Sequence, residues 1–147
     1  MERNKTLTLG SLFDGSGGFP LGGLLAGVAP VWASEIEPFP IRVTTRRFPS
    51  MKHYGDISRM DGGKIEPVDI ITFGSPCTDM SIAGKRAGLE GAQSSLFYQA
   101  IRIIKEMRCA TNGRYPRWIC WENVVGAFSS NRGLDFKAVL EAVIGII

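Results

Sequence analysis

The sequence predicts a single α/β domain, residues 1–147, built on an open, doubly wound and mainly parallel sheet. Five strand-like segments alternate with helical segments along the chain. Residues 68–73 (VDIITF) form a mainly apolar run of strand length, which is typical of a parallel strand buried on both faces. A glycine-rich turn directly follows the first strand, at the sheet edge where such folds bind ligands.

Composition and charge are those of an ordinary globular protein. The chain has 44% hydrophobic and 21% charged residues, and its net charge of +3 permits a nucleic-acid partner without arguing for one. Three cysteines without a CxxC pair, beside a single histidine, argue against a disulfide framework or a zinc site and favour a reducing cytosol. The uncharged segment 15–34 is too rich in glycine for a membrane span, so we expect neither membrane nor metal binding.

The first half of the chain predicts three strands and two helices. Strand propensity, glycine turns and helical spacing divide it as follows: a strand at 6–13, a turn at 14–18 followed by a short helix, a strand at 31–36, a basic helix at 39–48 and a short strand at 52–57.

The second half predicts two strands and two helices. After the strand at 68–73 and a loop at 74–93, apolar residues recur at helical spacing from Leu96 to Met107. The segment 118–121 (WICW) has the pattern of a fifth buried strand, although we expect it to lie at an uncovered edge of the sheet in this chain. The last helix has Asp135 as its predicted N-cap. Its predicted apolar face consists of Phe136, Val139, Leu140, Val143, Ile144 and Ile147.

Acidic side chains and the glycine turn point to a nucleoside-containing ligand. Glycines at 15, 17 and 18 allow a sharp turn and close approach of a ligand, although a tight turn without a ligand is the alternative. Glu35 ends the second strand, where it can accept hydrogen bonds from ribose hydroxyls, and Glu37 is a rival for that role. Asp56 can accept from an adenine amine, or it can simply cap the turn at Ile57.

A cysteine and a glutamate follow the fourth and fifth strands. Cys77 lies beside Lys85 and Arg86, whose charge favours a thiolate, whereas Cys109 and Cys120 are expected to be inert core thiols. Glu122 can share a proton with a bound base if its apolar neighbours desolvate it. A surface glutamate that closes a strand is the alternative.

Taken together, these motifs resemble those of the cytosine-5 DNA methyltransferases, which form 5-methylcytosine. The match consists of FDGSGGF after the first strand, SEI and GDI after the next two, GSPCTDMS in the loop after the fourth, SSLF at the following helix and WENV after the fifth. It extends from Leu7 to Phe128. The resemblance implies a Rossmann-like fold that uses S-adenosylmethionine.

The resemblance also implies a role for each matching residue. The catalytic pair is Cys77, which adds to carbon 6 of a cytosine flipped out of double-stranded DNA, and Glu122, which acts at ring nitrogen 3. The implied cofactor-binding residues are Phe13, Asp14, Gly15, Gly17, Gly18, Glu35, Ile36, Asp56, Ile57, Pro76 and Leu96. Ser81, Lys85 and Arg86 would hold the DNA backbone, while Gly74 and Asn123 support the loop and the WENV motif.

The sequence departs from the family pattern at Ser11, Ile36 and Thr78, and it ends before the family's later motifs. We therefore expect the amino-terminal part of a catalytic domain, as a gene fragment or split subunit with little methyl transfer alone and with a carboxyl-terminal complementing half as its partner. We expect a cytoplasmic, bacterial or phage-encoded enzyme of restriction-modification type. The alternatives are an inactive cofactor-binding module and an NAD-dependent oxidoreductase.

Overall fold

The fold is a five-stranded, fully parallel sheet. The computed structural model describes residues 6–74 and 94–146. The strand order is β3-β2-β1-β4-β5, and all four neighbouring pairs are parallel. The strands are β1 (Thr8–Leu12), β2 (Ala29–Ser34), β3 (Lys52–His53), β4 (Ile70–Phe73) and β5 (Trp118–Trp121). Since the chain winds outward in both directions from β1, the predicted doubly wound class is confirmed.

Helices connect the strands as the alternating pattern predicted. They are α1 (Gly18–Leu25), α2 (Pro38–Arg47), α3 (Ser94–Ala110) and α4 (Leu134–Ile144). Short 3-10 helices lie at Ile57–Arg59, Val125–Phe128 and Ser130–Gly133. Within the described ranges, no helix has the length and apolar character needed to cross a membrane.

The main core lies between the central strands and α3. Leu12, Ile71 and Phe73 are fully buried, and they belong to one cluster with the apolar face of α3. Full burial of such a side chain stabilises the fold by roughly 1.5–3 kcal/mol. The fully buried members from α3 are Ala100, Ile103, Ile104 and Met107, all of which the helical spacing had predicted.

One glycine in β1 is required by the packing of a tryptophan from β2. A Cβ atom on Gly10 would lie 2.2 Å from the Trp32 ring, which is fully buried and cannot move away easily. The Trp32 indole N–H donates to the carbonyl of Glu66 at 2.8 Å, which fixes the ring further. The first two strands therefore depend on the absence of a side chain at residue 10.

Three structural predictions were wrong. The third strand spans only Lys52–His53, because Asp56 starts a 3-10 helix instead of ending a strand. The WICW strand lies at an uncovered edge of the sheet, as expected, but the burial predicted from its apolar run is not observed, since Trp118 is 64% exposed. The N-cap of α4 is Gly133, whose φ of 83° suits glycine, so Asp135 lies inside the first turn.

Two further predictions about burial also need correction. Cys109, near the end of α3, and Cys120, on the edge strand, are exposed and are not core thiols. On α4, Val139 is buried and Phe136 partly so, but Leu140 and Ile144 are exposed. The apolar face of α4 is therefore only partly covered by the described residues, among which Ile147 is not included.

Candidate active site

A cavity of about 310 Å³ lies where the carboxyl ends of β1, β2 and β4 meet. Apolar side chains form much of its wall, and carboxylates stand at its polar side. Its lining residues are Phe13, Ser34, Glu35, Ile36, Glu37, Asp56, Ile57, Gly74 and Leu96. The structure thus brings together the residues predicted to hold an adenosine, from four separate segments of the chain.

The turn between β1 and α1 has a backbone that favours glycine. Phe13, Gly15 and Gly17 all have left-handed φ values, of 54°, 56° and 84°. A Cβ atom on Gly17 would lie 2.8 Å from the Thr44 side chain of α2, so a larger residue is excluded by both strain and space. A Cβ atom on Gly15 would meet nothing within 4 Å, so its backbone conformation alone favours glycine.

Glu35 connects the glycine turn to the end of β2. Its Oε2 atom accepts a hydrogen bond from the backbone N–H of Gly15 at 2.8 Å. Its Oε1 atom accepts from the N–H groups of Ile36 at 2.7 Å and Glu37 at 3.0 Å. Glu37 lines the same cavity but is exposed. A carboxylate oxygen can accept more than one hydrogen bond, so Glu35 retains capacity for a ligand while it holds the turn.

Asp56 fulfils one of the two roles that its position allowed. Its Oδ1 atom accepts from the N–H of Ser58 at 2.9 Å and so caps the 3-10 helix at Ile57–Arg59. This backbone hydrogen bond, together with the Ser58 hydroxyl, lowers the pKa of the carboxyl group below its usual value. Asp56 also lines the cavity, so capping leaves a ligand contact open.

A second, more open cavity of about 400 Å³ adjoins the first. Phe13 and Gly74 line both cavities, so the two meet at the ends of β1 and β4. The other lining residues of the second cavity are Asp14, Gly18, Phe19 and Glu122. The predicted acid of the reaction and the predicted cofactor turn therefore face one shared space.

Glu122 and Gly74 are in close contact across neighbouring strands. The N–H of Glu122 donates to the carbonyl of Phe73 at 2.9 Å, which continues the pairing of β4 with β5. A Cβ atom on Gly74 would lie 2.7 Å from Oε2 of Glu122, so a side chain at residue 74 would require the exposed carboxylate to shift. The Glu122 side chain is exposed, which agrees with the surface glutamate that the sequence allowed as the alternative to a desolvated one.

Asp14 is the buried acid of the site, and its environment could not be predicted from sequence. Its side chain is 6% exposed, and neither carboxylate oxygen has a hydrogen-bond partner among the described residues. Burial raises the pKa of Asp14 to about 6, the Ser11 hydroxyl acts in the opposite direction, and the charge of Glu35 adds to the rise.

Several predicted site residues lie outside the described ranges. These are Pro76, Cys77, Ser81, Lys85 and Arg86, so the nucleophile and the DNA-contacting loop stay predictions. Asn123 is described, and its Oδ1 atom accepts from the N–H of Val124 at 2.8 Å. That contact fixes the backbone directly after Glu122.

Comparison with known proteins identifies the family. The family model described as C-5 cytosine-specific DNA methylase matches residues 7–146. The chain belongs to this family.

Within the described ranges, no group of three or more histidine, cysteine, aspartate or glutamate residues could hold a metal ion.

Two individual relatives are named methyltransferases, and the name of one specifies adenine as its target base. The chain is 35% identical over 133 residues to a type II methyltransferase, M1.ScrFI, of Lactococcus lactis subsp. cremoris, covering 90% of this chain and 32% of the relative. It is also 33% identical over 132 residues to a protein of Escherichia phage P1 named a DNA N-6-adenine-methyltransferase, covering 86% of this chain and 18% of that protein. The chain therefore spans about a third or less of these two relatives.

A solved structure shares the fold. The crystal structure of the S. pombe Dnmt2 methyltransferase superposes with a TM-score of 0.68 at 21% identity, covering 92% of this chain and 41% of that one. At this identity the likeness concerns the fold alone. The Rossmann-like architecture that the family resemblance implied is thus confirmed, here as far as the helix after the fifth strand.

Proposed function

We propose that this chain is the cofactor-binding and nucleophile-bearing part of a DNA cytosine-5 methyltransferase that uses S-adenosylmethionine. The observation that carries the proposal is the pair of joined cavities at Phe13 and Gly74, with Glu35 on one side and Glu122 on the other. A methyl donor bound across this junction would lie next to a base held at Glu122.

The donor groups of the first cavity fit an adenosine. Phe13, Ile57 and Leu96 offer apolar walls for a flat ring, while Glu35 and Asp56 offer acceptors for ribose hydroxyls and for an exocyclic amine. The unpartnered carboxylate of Asp14 stands beyond the junction, on the side where a positively charged tail would extend. The same acceptors suit the adenosine half of NAD, but that alternative gives no role to Glu122 or Cys77.

The chemistry follows from two side chains of this chain. The thiolate of Cys77 adds to carbon 6 of the cytosine, while Glu122 holds a proton at ring nitrogen 3 and so favours the electron-rich carbon 5. S-adenosylmethionine, when bound, would supply the methyl group that carbon 5 takes up, with the thioether S-adenosylhomocysteine as the leaving group. Transfer of the carbon 5 proton to water then lets the ring expel Cys77 as a thiolate, and nitrogen 3 returns its proton to Glu122, which restores both the aromatic ring and the enzyme.

The target base must leave the DNA duplex to reach Cys77 and Glu122. Ser81, Lys85 and Arg86 would contact the DNA backbone, which positions the substrate without specifying its sequence. Recognition of a sequence and support of the flipped base are assigned to a carboxyl-terminal half, since the chain spans 32% of its Lactococcus lactis relative. A restriction-modification role in the bacterial cytoplasm is proposed from the same kinship.

Product analysis tests this proposal. The chain is incubated with DNA and S-adenosylmethionine carrying a labelled methyl group, alone and with a separately expressed carboxyl-terminal half of the Lactococcus lactis relative. The DNA is then digested to nucleosides and separated. We expect label in 5-methylcytosine only with both halves present, and none with the Cys77→Ser variant. Label in N6-methyladenine, or equal labelling by Cys77→Ser, would refute the cytosine mechanism.

A further inference from the structure

A third cavity, of about 150 Å³, lies at the amino end of β5, between the last turn of α3 and the end of α4. It shares no lining residue with the two cavities at the carboxyl ends of the strands, so the proposed chemistry gives it no role. Two arginines, Arg108 and Arg117, line it together with four aliphatic residues, Ile104, Ile119, Val143 and Ile146.

Arg108 has one hydrogen-bond donor that the described residues leave unpaired. Its Nη1 atom donates to the carbonyl of Pro116 at 3.1 Å, which holds the guanidinium group against the segment before β5. Its Nε atom is buried, yet it has no hydrogen-bond partner in residues 6–74 and 94–146. Nearly all buried polar groups in folded proteins are paired, so this Nε–H indicates a ligand with an acceptor group.

Arg117 adds a second positive charge at the cavity. Its Nη1 atom lies 3.9 Å from Oδ1 of Asp69, which is a long ion pair, and its side chain is 58% exposed. The Oδ2 atom of Asp69 is already engaged by the N–H and hydroxyl groups of Thr8, each at 3.0 Å. No acidic residue of the described ranges is among those that line the cavity. Because guanidinium groups remain protonated in proteins, the cavity favours an anion.

The size of the cavity and its aliphatic wall restrict that anion. Cavities for drug-sized ligands measure about 300–1,000 Å³, so this one admits only a small molecule or a single side chain. Ile119, Val143 and Ile146 are partly buried at the margin of the main core, where an apolar group would cover them. Inorganic phosphate matches the charge but leaves this wall uncovered, and a metal ion is repelled by both arginines.

We infer that this cavity binds a small carboxylate with a short apolar stem, whose oxygens accept hydrogen bonds from Arg108 and Arg117. A planar carboxylate suits a guanidinium group, which can donate two parallel hydrogen bonds to it. On Arg108 these come from Nε and Nη2, since Nη1 donates to Pro116. The carboxylate belongs either to a free short-chain acid or to an acidic side chain of another protein. The inference does not depend on the proposed function.

Titration of four probes into the whole chain at pH 7 and constant ionic strength tests this chemistry. The probes are butyrate, butanol, inorganic phosphate and N-acetylglutamate N-methylamide, and nitrogen-15 NMR spectra follow the Nε–H resonance of Arg108. Butyrate should shift this resonance saturably, whereas butanol, which has the same stem without the charge, should not. Phosphate should bind at least about fivefold more weakly than butyrate, because it covers no apolar wall. Tighter binding of the blocked glutamate than of butyrate would identify a protein side chain as the source, and weaker binding a free acid.

Three variants, followed on the backbone N–H of Ile119, separate the cavity from general surface charge. Arg117→Gln should weaken butyrate binding at least about fivefold while the fold persists, since it loses only a long, exposed ion pair. Arg108→Gln should weaken it at least about tenfold. The control Arg114→Gln removes an exposed arginine that does not line the cavity and should change the affinity less than about twofold.

Three results would overturn the inference. These are no saturable binding of butyrate, binding of butanol or phosphate as tight as that of butyrate, and equal losses of affinity in Arg117→Gln and Arg114→Gln. Circular dichroism shows whether Arg108→Gln folds without its hydrogen bond to Pro116. If it does not fold, the comparison of Arg117→Gln with Arg114→Gln and the response of the Arg108 resonance decide the question.

Discussion

Replacing Asp14 with asparagine should stabilise the protein at neutral pH. In the folded chain burial raises the pKa of Asp14 from 3.8 to about 6. Between these values the folded state binds more protons than the unfolded state, so Asp14 reduces stability progressively as pH rises from about 4 to about 6. Asparagine has the same shape and no charge to desolvate.

The size of the effect follows from the shift. About two pKa units at about 1.4 kcal/mol each give an upper bound near 3 kcal/mol, and we expect the advantage of Asp14→Asn over wild type to widen by about 2 kcal/mol between pH 4 and pH 7. Urea unfolding followed by circular dichroism measures this advantage. The midpoint of Asp14→Asn minus that of wild type should increase by roughly 1 M between pH 4 and pH 7. If the stability advantage of Asp14→Asn over wild type does not change with pH, the interpretation of Asp14 as a buried carboxylate without partners is refuted.

Three further substitutions test the fold around the site. Glu35→Ala removes the acceptor of the Gly15 N–H and should lower the Tm by roughly 3–6 °C. The control Glu37→Ala should change the Tm by less than about 2 °C. Equal effects of the two substitutions would contradict the assigned contacts. Gly10→Ala forces a Cβ atom into the buried Trp32 ring and should abolish cooperative unfolding. The control Gly22→Ala has open space around it in α1 and should raise the free energy of unfolding by about 0.5–1 kcal/mol. A Gly10→Ala variant that still folds cooperatively would refute that packing. Asp69→Ala removes the acceptor of the Thr8 N–H and hydroxyl groups at the start of β1. It should lower the free energy of unfolding, measured with a chemical denaturant, by about 2–4 kcal/mol. A loss of less than about 1 kcal/mol would show that these bonds are unimportant.

The sequence predicted what local periodicity and strand order determine. The apolar spacing in α3 predicted its buried face, because one helix packed on one sheet repeats its contacts every three to four residues. The positions after strands predicted which side chains share a cavity, because parallel strands end at the same edge. Glu35 and Asp56 were found in this way.

The remainder depends on contacts between distant segments. An apolar run such as WICW looks the same at the edge of a sheet as in its centre, so its pattern alone predicts burial, whereas Trp118 and Cys120 are exposed at the edge position that was expected for the strand. The hydrogen bond from the Gly15 N–H to Glu35 joins residues 20 positions apart. Among the described residues the Asp14 carboxylate has no hydrogen-bond partner, which results from the packing of segments around it and which no local sequence pattern predicts.

The central claim is that the ends of β1 and β2 and the turn at Asp56 form a site for S-adenosylmethionine. Titration calorimetry of the chain with S-adenosylmethionine, with NAD as the control ligand and with the Glu35→Ala variant beside wild type, tests it most directly. We expect saturable binding of one S-adenosylmethionine, at least about tenfold weaker in Glu35→Ala, and no measurable binding of NAD. Absence of S-adenosylmethionine binding, or tighter binding of NAD, would contradict it.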